Sequence, residues 1–361
     1  MPYSTDGLED FTQARLLPSA YLGSDEKYTV IMDGARWMLK FGAPIDPDPR
    51  NPLLGSYNNS PISEYIGCHI AEKMGLDAQE TRLGLYNGRL VVACKDFVSS
   101  SGITSELIEF SKLENGTEGV SSANRKTPEY EFTMSVLNNT PFLSDIRAEA
   151  VRRFWETFCL DALIGNHDRH ASNWGYLATS EDMHIYKCAP IYDCGSSLCP
   201  MLAESQMAII ANSYETHKNR VLGRPKARLI VDGKRVRYLD FMMSDKGAAA
   251  RRALLGILDR FDLNDALEVI RDAPAASDVY KEFLCSEVIL RSRLILGPAR
   301  DLAERERVAV LNHELRSIHH EVLVERDLGM PGSDSSWEQG ASDLGWNGHG
   351  ISKSRNDGEC R

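Results

Sequence analysis

The chain has 361 residues, of which 42% are hydrophobic and 26% are charged, as in an ordinary globular protein with a substantial core. Its net charge of −11 disfavours broad nucleic-acid binding, so we expect no direct nucleic-acid partner. No secretory signal and no run of about 18 apolar residues is visible, so we expect no membrane association. The eight cysteines form no Cys-x-x-Cys pair, which is typical of reduced thiols in a cytoplasmic protein.

Two tight turns organise the first hundred residues. The pairs Asp33-Gly34 and Asn87-Gly88 tolerate the positive φ of a two-residue hairpin turn. Between them, apolar residues recur at intervals of three and four over residues 62–74, which predicts a helix. The predicted order is therefore strand, strand, helix, strand, strand, over residues 28–32, 36–41, 62–74, 82–86 and 89–95.

The remainder of the chain is predicted to be mainly helical from about residue 140. Residues 113–142 are polar and are interpreted as a long connection or lid. Asp232-Gly233 predicts a third hairpin, and the segment after residue 328 is rich in Gly, Ser and Asn, which favours disorder. Helical apolar spacing covers residues 143–164, 248–261, 266–270, 279–296 and 299–323.

Three polar residues in the centre of the chain suggest a chemistry. Asn173 follows Asp168 by five residues, and Asp193 follows Asn173 by twenty. Phosphoryl transfer from a nucleotide to a hydroxyl uses one Asp to orient the acceptor oxygen, and an Asn and a second Asp to hold Mg²⁺. The pattern predicts a kinase that uses ATP and Mg²⁺, with Asp168 catalytic and Asn173 and Asp193 as metal ligands. The other interpretation of Asp168 is that it caps a turn.

The N-terminal elements follow the order of a kinase small lobe. Lys40 lies among apolar strand residues and would bind the nucleotide phosphates, with Glu64 of the following helix as its partner. The alternative is a surface lysine on a half-exposed strand. Gly23 and Ser24 precede the first hairpin and would form the phosphate loop. The backbone near Ala93 and Lys95 would form the hinge to adenine, because the last strand of this lobe ends there.

This organisation predicts an α+β, bilobal protein-kinase-like fold. A small antiparallel β lobe with one helix binds the nucleotide, and a larger helical lobe carries the catalytic residues. The predicted boundaries are 1–97 for the nucleotide-binding lobe, 98–328 for the catalytic lobe and 329–361 for a disordered tail.

A basic strip covers residues 217–237, where eight lysines and arginines stand against one acidic residue, Asp232. Such a strip is either a solvated hairpin or a docking surface for an acidic partner or substrate. The sequence leaves both interpretations open.

The catalytic segment resembles the HipA-like serine/threonine kinases of bacteria, in particular their short, CtkA-type branch. The resemblance is carried by the pattern Asn166-x-Asp168-x-His170-x-x-Asn173 and by the Pro-Ile-Tyr-Asp segment that ends at Asp193. It extends in order of elements over about residues 20–325. We expect His170 to brace this loop and count it with the cofactor-binding residues.

The resemblance implies a protein-kinase-like fold, Mg-ATP and transfer of phosphate to a protein serine or threonine. Lys40 matches the ATP lysine, Glu64 its helix partner, Asp168 the catalytic residue, and Asn173 and Asp193 the metal ligands. Some members are toxins held by a DNA-binding antitoxin, which makes an antitoxin an expected partner class. Others phosphorylate a serine of the nucleotide loop.

The sequence begins almost at the nucleotide loop, so we expect the extra N-terminal subdomain of the longer toxins to be absent. Self-phosphorylation has one positional candidate, Ser24, although the loop around it is not serine-rich. Other classes stay open: a lipid or small-molecule kinase of the same fold, and a catalytically degenerate kinase fold that serves as a binding platform. A metal-dependent phosphohydrolase with the His167-Asp168 doublet fits poorly, because three hairpins do not suit its mainly helical fold.

Overall fold

The computed structural model describes residues 7–18, 27–42, 45, 58–99, 104–118 and 128–327. The chain divides into two compact units, Met1–Glu306 and Arg307–Arg361. In the second unit the described residues, up to Asp327, are helical. Gly23, Ser24 and the predicted tail 329–361 lie outside the described residues.

The N-terminal part of the first unit is a six-stranded sheet with one helix. The sheet has the order β1-β5-β6-β4-β3-β2, and all its pairs are antiparallel except the edge pair of β1 and β5. The elements are β1 Glu9–Asp10, β2 Arg15–Leu17, β3 Lys27–Met32, β4 Ala35–Phe41, α1 Ser60–Lys73, β5 Thr81–Tyr86 and β6 Arg89–Lys95.

Both predicted hairpins of this sheet are confirmed. Asp33 and Gly34 have φ values of 51° and 74°, and Asn87 and Gly88 have values of 49° and 73°. These left-handed conformations suit Asp, Asn and Gly, which explains the turns. The short strands β1 and β2 were not predicted.

Helix α1 lies where the apolar spacing predicted it. Its start coincides with a proline in the first turn, where the missing N–H has no helical partner to lose. Ile62, Ile66 and Ile70 are buried, and α1 packs against β5 and β6. The helix therefore covers one face of the sheet and holds Glu64 against it.

Residues 105–188 mix helices with a second, three-stranded sheet in the order β7-β8-β9. The interpretation of residues 113–142 as a long connection or lid is wrong for 113–118 and 130–139, because two of these helices fall there. Phe110, Leu113, Val136 and Leu137 are buried in a common cluster, so tertiary packing outweighs the polar composition. The elements are β7 Ser105–Glu109, α2 Phe110–Glu118, α3 Tyr130–Asn139, α4 Arg147–Ile164, β8 Gly175–Thr179 and β9 Ile185–Cys188.

The third hairpin is confirmed, since Asp232 and Gly233 have φ values of 49° and 75°. Its second strand ends at Arg237, because Tyr238 and Phe241 are buried on a short helix. The elements are α5 Glu204–Ala211, α6 Tyr214–Gly223, β10 Lys226–Val231, β11 Lys234–Arg237, α7 Tyr238–Met243, α8 Ala248–Leu258, α9 Leu263–Asp272, α10 Asp278–Arg291 and α11 Gly297–Asp327. The predicted α+β class, a β region with one helix followed by a larger helical region, is confirmed.

Among the described residues, no helix combines the length and the apolar character that crossing a membrane would require.

Candidate active site

Lys40 projects from the central strand β4 into a three-way ion cluster. Its Nζ lies 3.0 Å from Glu64 Oε1 and 3.1 Å from Asp193 Oδ1. Burial lowers the pKa of Lys40, but the charges of Asp193 and Glu64 outweigh this effect and hold that pKa well above its ordinary value. Lys40 is therefore a fixed cation at neutral pH.

Glu64 joins α1 to the segment that carries Asp193. Its side chain is only 1% exposed, and Oε1 accepts hydrogen bonds from Lys40 and from the backbone N–H of Asp193, the latter at 3.0 Å. A β-carbon at Gly195 would lie 3.3 Å from Glu64 Oε2, so glycine leaves this carboxylate its space. The predicted pairing of Lys40 with Glu64 is present in the structure.

The loop after α4 presents Asp168. The helix ends at Gly165, which has a φ of 65°. The buried side chain of Asn166 donates to Asp161 Oδ1 at 3.1 Å and accepts from the backbone N–H of Asp168 at 3.0 Å. Asp168 Oδ1 accepts a hydrogen bond from Arg228 Nη1 at 2.6 Å, and its side chain is 34% exposed. Asp168 is thus held in place by Asn166 and Arg228, and solvent can still reach its side chain.

Arg169 links the loop that carries Asp168 and Asn173 to the segment that carries Asp193. Its guanidinium donates to the carboxylate of Asp161 at 3.0 Å and to the carbonyl of Asn173 at 3.1 Å. It also donates to the carbonyls of Tyr192 and Asp193. Burial lowers the pKa of Arg169, and the Asp161 charge more than compensates, so that pKa stays well above its ordinary value. The sequence motif assigned no role to Arg169.

Asn173 and Asp193 offer oxygen atoms that suit Mg²⁺. The Nδ2 of Asn173 donates to the carbonyl of Asp168 at 2.8 Å, which leaves its Oδ1 as the ligand atom. Asp193 has a φ of 60°, and its side chain is 43% exposed. The Lys40 charge lowers the pKa of Asp193 to about 2, so its carboxylate is ionised. In the described part of the chain, no group of three or more His, Cys, Asp or Glu could hold a metal alone. A pair of protein oxygens completed by phosphates and water is how Mg²⁺ is held in phosphoryl transfer.

Three of these residues face a cleft with an empty volume of about 1040 Å³. Phe97 and Tyr192 stand at its side with their ring centroids 5.6 Å apart, which leaves apolar surface beside the ion cluster. Lys40, Asn173 and Asp193 line the same cleft. The cleft therefore joins an apolar part, suited to a base, to a charged part, suited to phosphates.

The predicted hinge residues Ala93 and Lys95 flank Cys94, which lines this cleft, and their backbone groups are engaged. Ala93 is buried in β6, in register with Leu39 and Arg82. The N–H of Lys95 donates to the carbonyl of Glu80 at 2.9 Å, and its own carbonyl accepts from Gln79 at 2.9 Å. The hinge assignment of Ala93 and Lys95 stays a prediction.

His170 lies inside the catalytic loop. The ring Nδ1 of His170 accepts a hydrogen bond from the backbone N–H of Ser172 at 3.2 Å. The backbone N–H of His170 donates to the carbonyl of Asp168 at 2.7 Å. The geometry is that of a residue that shapes the loop.

The sequence profile of the HipA-like C-terminal domain matches residues 19–257, which is more than half of the 361 residues. The fold is kinase-like, and the chain belongs to the HipA-like family. The family predicted from the loop and the Asp193 segment is confirmed.

Similarity to a named kinase and to a solved kinase structure supports this assignment. The chain is 32% identical over 297 residues to the serine/threonine-protein kinase CtkA of Helicobacter pylori, covering 81% of this chain and 88% of the relative. The crystal structure of a Helicobacter pylori proinflammatory kinase CtkA matches with a TM-score of 0.72 and 30% identity, covering 83% of this chain and 99% of that one. A Shewanella oneidensis structure of the HipA and HipB toxin–antitoxin system with operator DNA matches with a TM-score of 0.44 and 14% identity, covering 82% and 76%.

Proposed function

We propose that this chain is a Mg-ATP-dependent serine/threonine protein kinase of the HipA-like type. The observation that carries the proposal is the Lys40–Glu64 pair, which meets Asp193 at one end of a cleft that Asn173 also lines. Lys40 offers a cation for phosphate oxygens, and Asp193 offers a carboxylate for the Mg²⁺ that accompanies them.

In the proposed reaction, the acceptor hydroxyl oxygen bonds to the γ-phosphorus of ATP as the bond to the β–γ bridging oxygen breaks. ADP leaves with that electron pair, and the hydroxyl proton passes to the carboxylate of Asp168. Asn166 and the loop backbone hold Asp168 in position for this step. Lys40, kept in place by Glu64, binds the α- and β-phosphates.

Asn173 and Asp193 would hold Mg²⁺, which when bound neutralises charge on the phosphate oxygens. Lys40 and Asp193 contact one another at 3.1 Å in this structure, so nucleotide and metal would each take up one partner of that pair. The low pKa of Asp193 keeps its carboxylate ready for a cation throughout the neutral range.

The partners and setting follow from membership of the family and stay proposals. The acceptor is a protein serine or threonine, the chain acts in the cytoplasm, and an antitoxin is the partner class if it is a toxin. Ser24 remains the candidate for self-phosphorylation. A lipid or small-molecule acceptor, or a platform without catalysis, is distinguished by the experiment below.

The test is phosphate incorporation from Mg-ATP into the purified protein and into one basic and one acidic carrier protein, read by intact-mass spectrometry. Asp168→Asn is the inactive variant. Asp301→Asn is its matched control, because Asp301 is an exposed residue on α11 that pairs with the neighbouring Arg300. A gain of one phosphate mass that Asp168→Asn loses and Asp301→Asn keeps supports the kinase. ATP binding without transfer to any protein favours another acceptor class, and absence of ATP binding refutes the enzyme.

A further inference from the structure

The structure sorts the cations of the basic strip into paired and unpaired groups. Lys218 contacts Glu215, Arg220 contacts Glu287 and Arg237 contacts Asp240, so their charges are compensated locally. Lys226 and Lys234 are exposed, and neither makes an ion pair with a residue that the structure describes. The β10–β11 hairpin therefore carries two exposed lysines that pair with no described acidic residue, and exposed Arg224 lies just before it.

This hairpin is attached to the catalytic loop. Arg235 donates to the carbonyls of His167 and Lys226, each at 3.0 Å. The hydroxyl of Tyr238, which directly follows β11, donates to the carbonyl of Asn166 at 2.7 Å. Together with the contact between Arg228 and Asp168, these bonds fix the hairpin on the side of the loop that carries Asp168.

Arg228 and Arg235 stand close enough to influence one another. Burial lowers the pKa of Arg235, and the charge of Arg228 lowers it further. Asp168 contacts Arg228 directly, and its charge also acts on Arg235. The surface beside Asp168 thus presents two arginines, on a protein whose total charge is −11.

We propose that the β10–β11 hairpin selects the acceptor, and that Arg228 binds an Asp or Glu side chain lying next to the serine or threonine to be phosphorylated. The inference deepens the proposed kinase function and rests on it. Lys226 and Arg235 add to the same positive surface.

Geometry explains why an acidic acceptor segment fits. Arg228 Nη1 donates a hydrogen bond to Oδ1 of Asp168, and the acceptor hydroxyl must also bind to the carboxylate of Asp168. An acidic side chain that arrives with the hydroxyl offers Arg228 a second carboxylate, to which a guanidinium binds well. Elsewhere the acidic protein repels such a segment, so the local positive surface also directs it to Asp168.

Two other roles for Arg228 make different predictions. A residue that only positions Asp168 would change kcat equally for every acceptor. A residue that contacts the γ-phosphate would change the KM for ATP and leave acceptor preference intact. Only a role in acceptor selection predicts that substitution of Arg228 changes the preference among acceptors.

The experiment uses three fluorescein-labelled serine peptides that differ only in having Glu, Gln or Lys at the positions flanking the serine. Binding to the full chain is measured by fluorescence anisotropy with Mg²⁺ and a non-hydrolysable ATP analogue, and transfer is measured with Mg-ATP. Binding needs no turnover, so it is informative even if no phosphate is transferred. We expect the Glu peptide to bind about tenfold more tightly than the Gln peptide, with a preference that falls as salt rises.

Arg228→Gln should reduce the preference for Glu to about twofold or less, and Arg228→Lys should restore part of it. Lys226→Gln, a change at an exposed position, should reduce the preference by a smaller factor if the surface acts as described. Arg300→Gln makes the same chemical change at an exposed arginine on α11 and should leave the preference unchanged.

Equal binding of the Glu and Gln peptides to the wild type would overturn the inference, as would full retention of the preference by Arg228→Gln. Selective binding of the Glu peptide without any transfer from Mg-ATP would instead refute the proposed kinase activity and leave the anion-binding surface standing.

Discussion

Gly67 is the position where helix α1 touches the segment that follows Asp193. A β-carbon built there would lie 2.6 Å from Cys194 Cβ and 3.4 Å from the Oγ of Ser197. Carbon atoms in ordinary contact are about 3.5–4.0 Å apart. Gly67→Ala would therefore force the helix and the segment apart by about 1 Å. That displacement acts directly on Asp193 and its contacts to Lys40 and Glu64.

The magnitude follows from two opposing effects. Alanine gains up to about 1 kcal/mol over glycine inside a helix. Overpacking a close contact costs about 1–3 kcal/mol. Gly256 in α8 is the matched control, because a β-carbon there meets nothing within 4 Å, so Gly256→Ala has only the gain. The difference between the two variants, about 1–3 kcal/mol in the free energy of unfolding, isolates the contact itself.

Urea unfolding followed by circular dichroism measures both variants, and titration with a fluorescent ATP analogue and Mg²⁺ measures the site. We expect Gly67→Ala to bind the nucleotide about tenfold more weakly, and Gly256→Ala to bind it as the wild type does, because only the first moves Asp193 away from Lys40. Equal stabilisation of the two variants, with unchanged nucleotide binding, would refute the reasoning that close packing of α1 on this segment sets the geometry of the site.

Three further outcomes are expected. Lys40→Met leaves two carboxylates side by side without their cation, so nucleotide affinity should fall at least tenfold in the same titration; unchanged affinity would contradict the role given to Lys40. Asp193→Ala should abolish Mg²⁺-dependent transfer in the mass assay while the circular dichroism spectrum stays native, and wild-type transfer would show the metal assignment to be wrong. Burial raises the pKa of Glu287, but Arg291, His217 and Arg220 outweigh it and lower that pKa from 4.5 to about 2. Glu287 therefore contributes about 3 kcal/mol to the free energy of unfolding above pH 4.5, and this contribution is lost as pH falls towards 2. A Glu287→Gln variant should lack this acid dependence. Urea unfolding between pH 5 and pH 2.5 measures it, and an equal change of unfolding free energy with pH in wild type and variant would contradict the role given to Glu287.

The local features of the fold could be predicted because their causes are local. Asp33-Gly34, Asn87-Gly88 and Asp232-Gly233 set the hairpin turns through their own backbone preferences. The strand Ser105–Glu109 was missed because its partner, Gly175–Thr179, lies some seventy residues away, and short strands are stabilised by the neighbour they find. Helix α3 was missed for the same reason, since buried Val136 and Leu137 need a core that the sequence does not display.

The candidate site divides in a similar way. The order of Asp168, Asn173 and Asp193 was readable because phosphate chemistry requires oxygen-bearing side chains in a set order along a short stretch of chain. The contact of Arg228 with Asp168 joins residues sixty positions apart, and only the folded chain brings them together. The sequence could show that a basic strip exists, but not which of its cations reach the catalytic loop.

Arg169 has a consequence for how substitutions in this protein would be interpreted. One guanidinium holds the carboxylate of Asp161 and the carbonyls of Asn173, Tyr192 and Asp193. If all single substitutions were scored by activity, those at Arg169 would reduce activity as much as those at Asp168, although Arg169 is buried and does not line the cleft. Nucleotide binding would separate the two, because a variant of Asp168 keeps the metal-side segment in place, whereas a variant of Arg169 releases both segments at once.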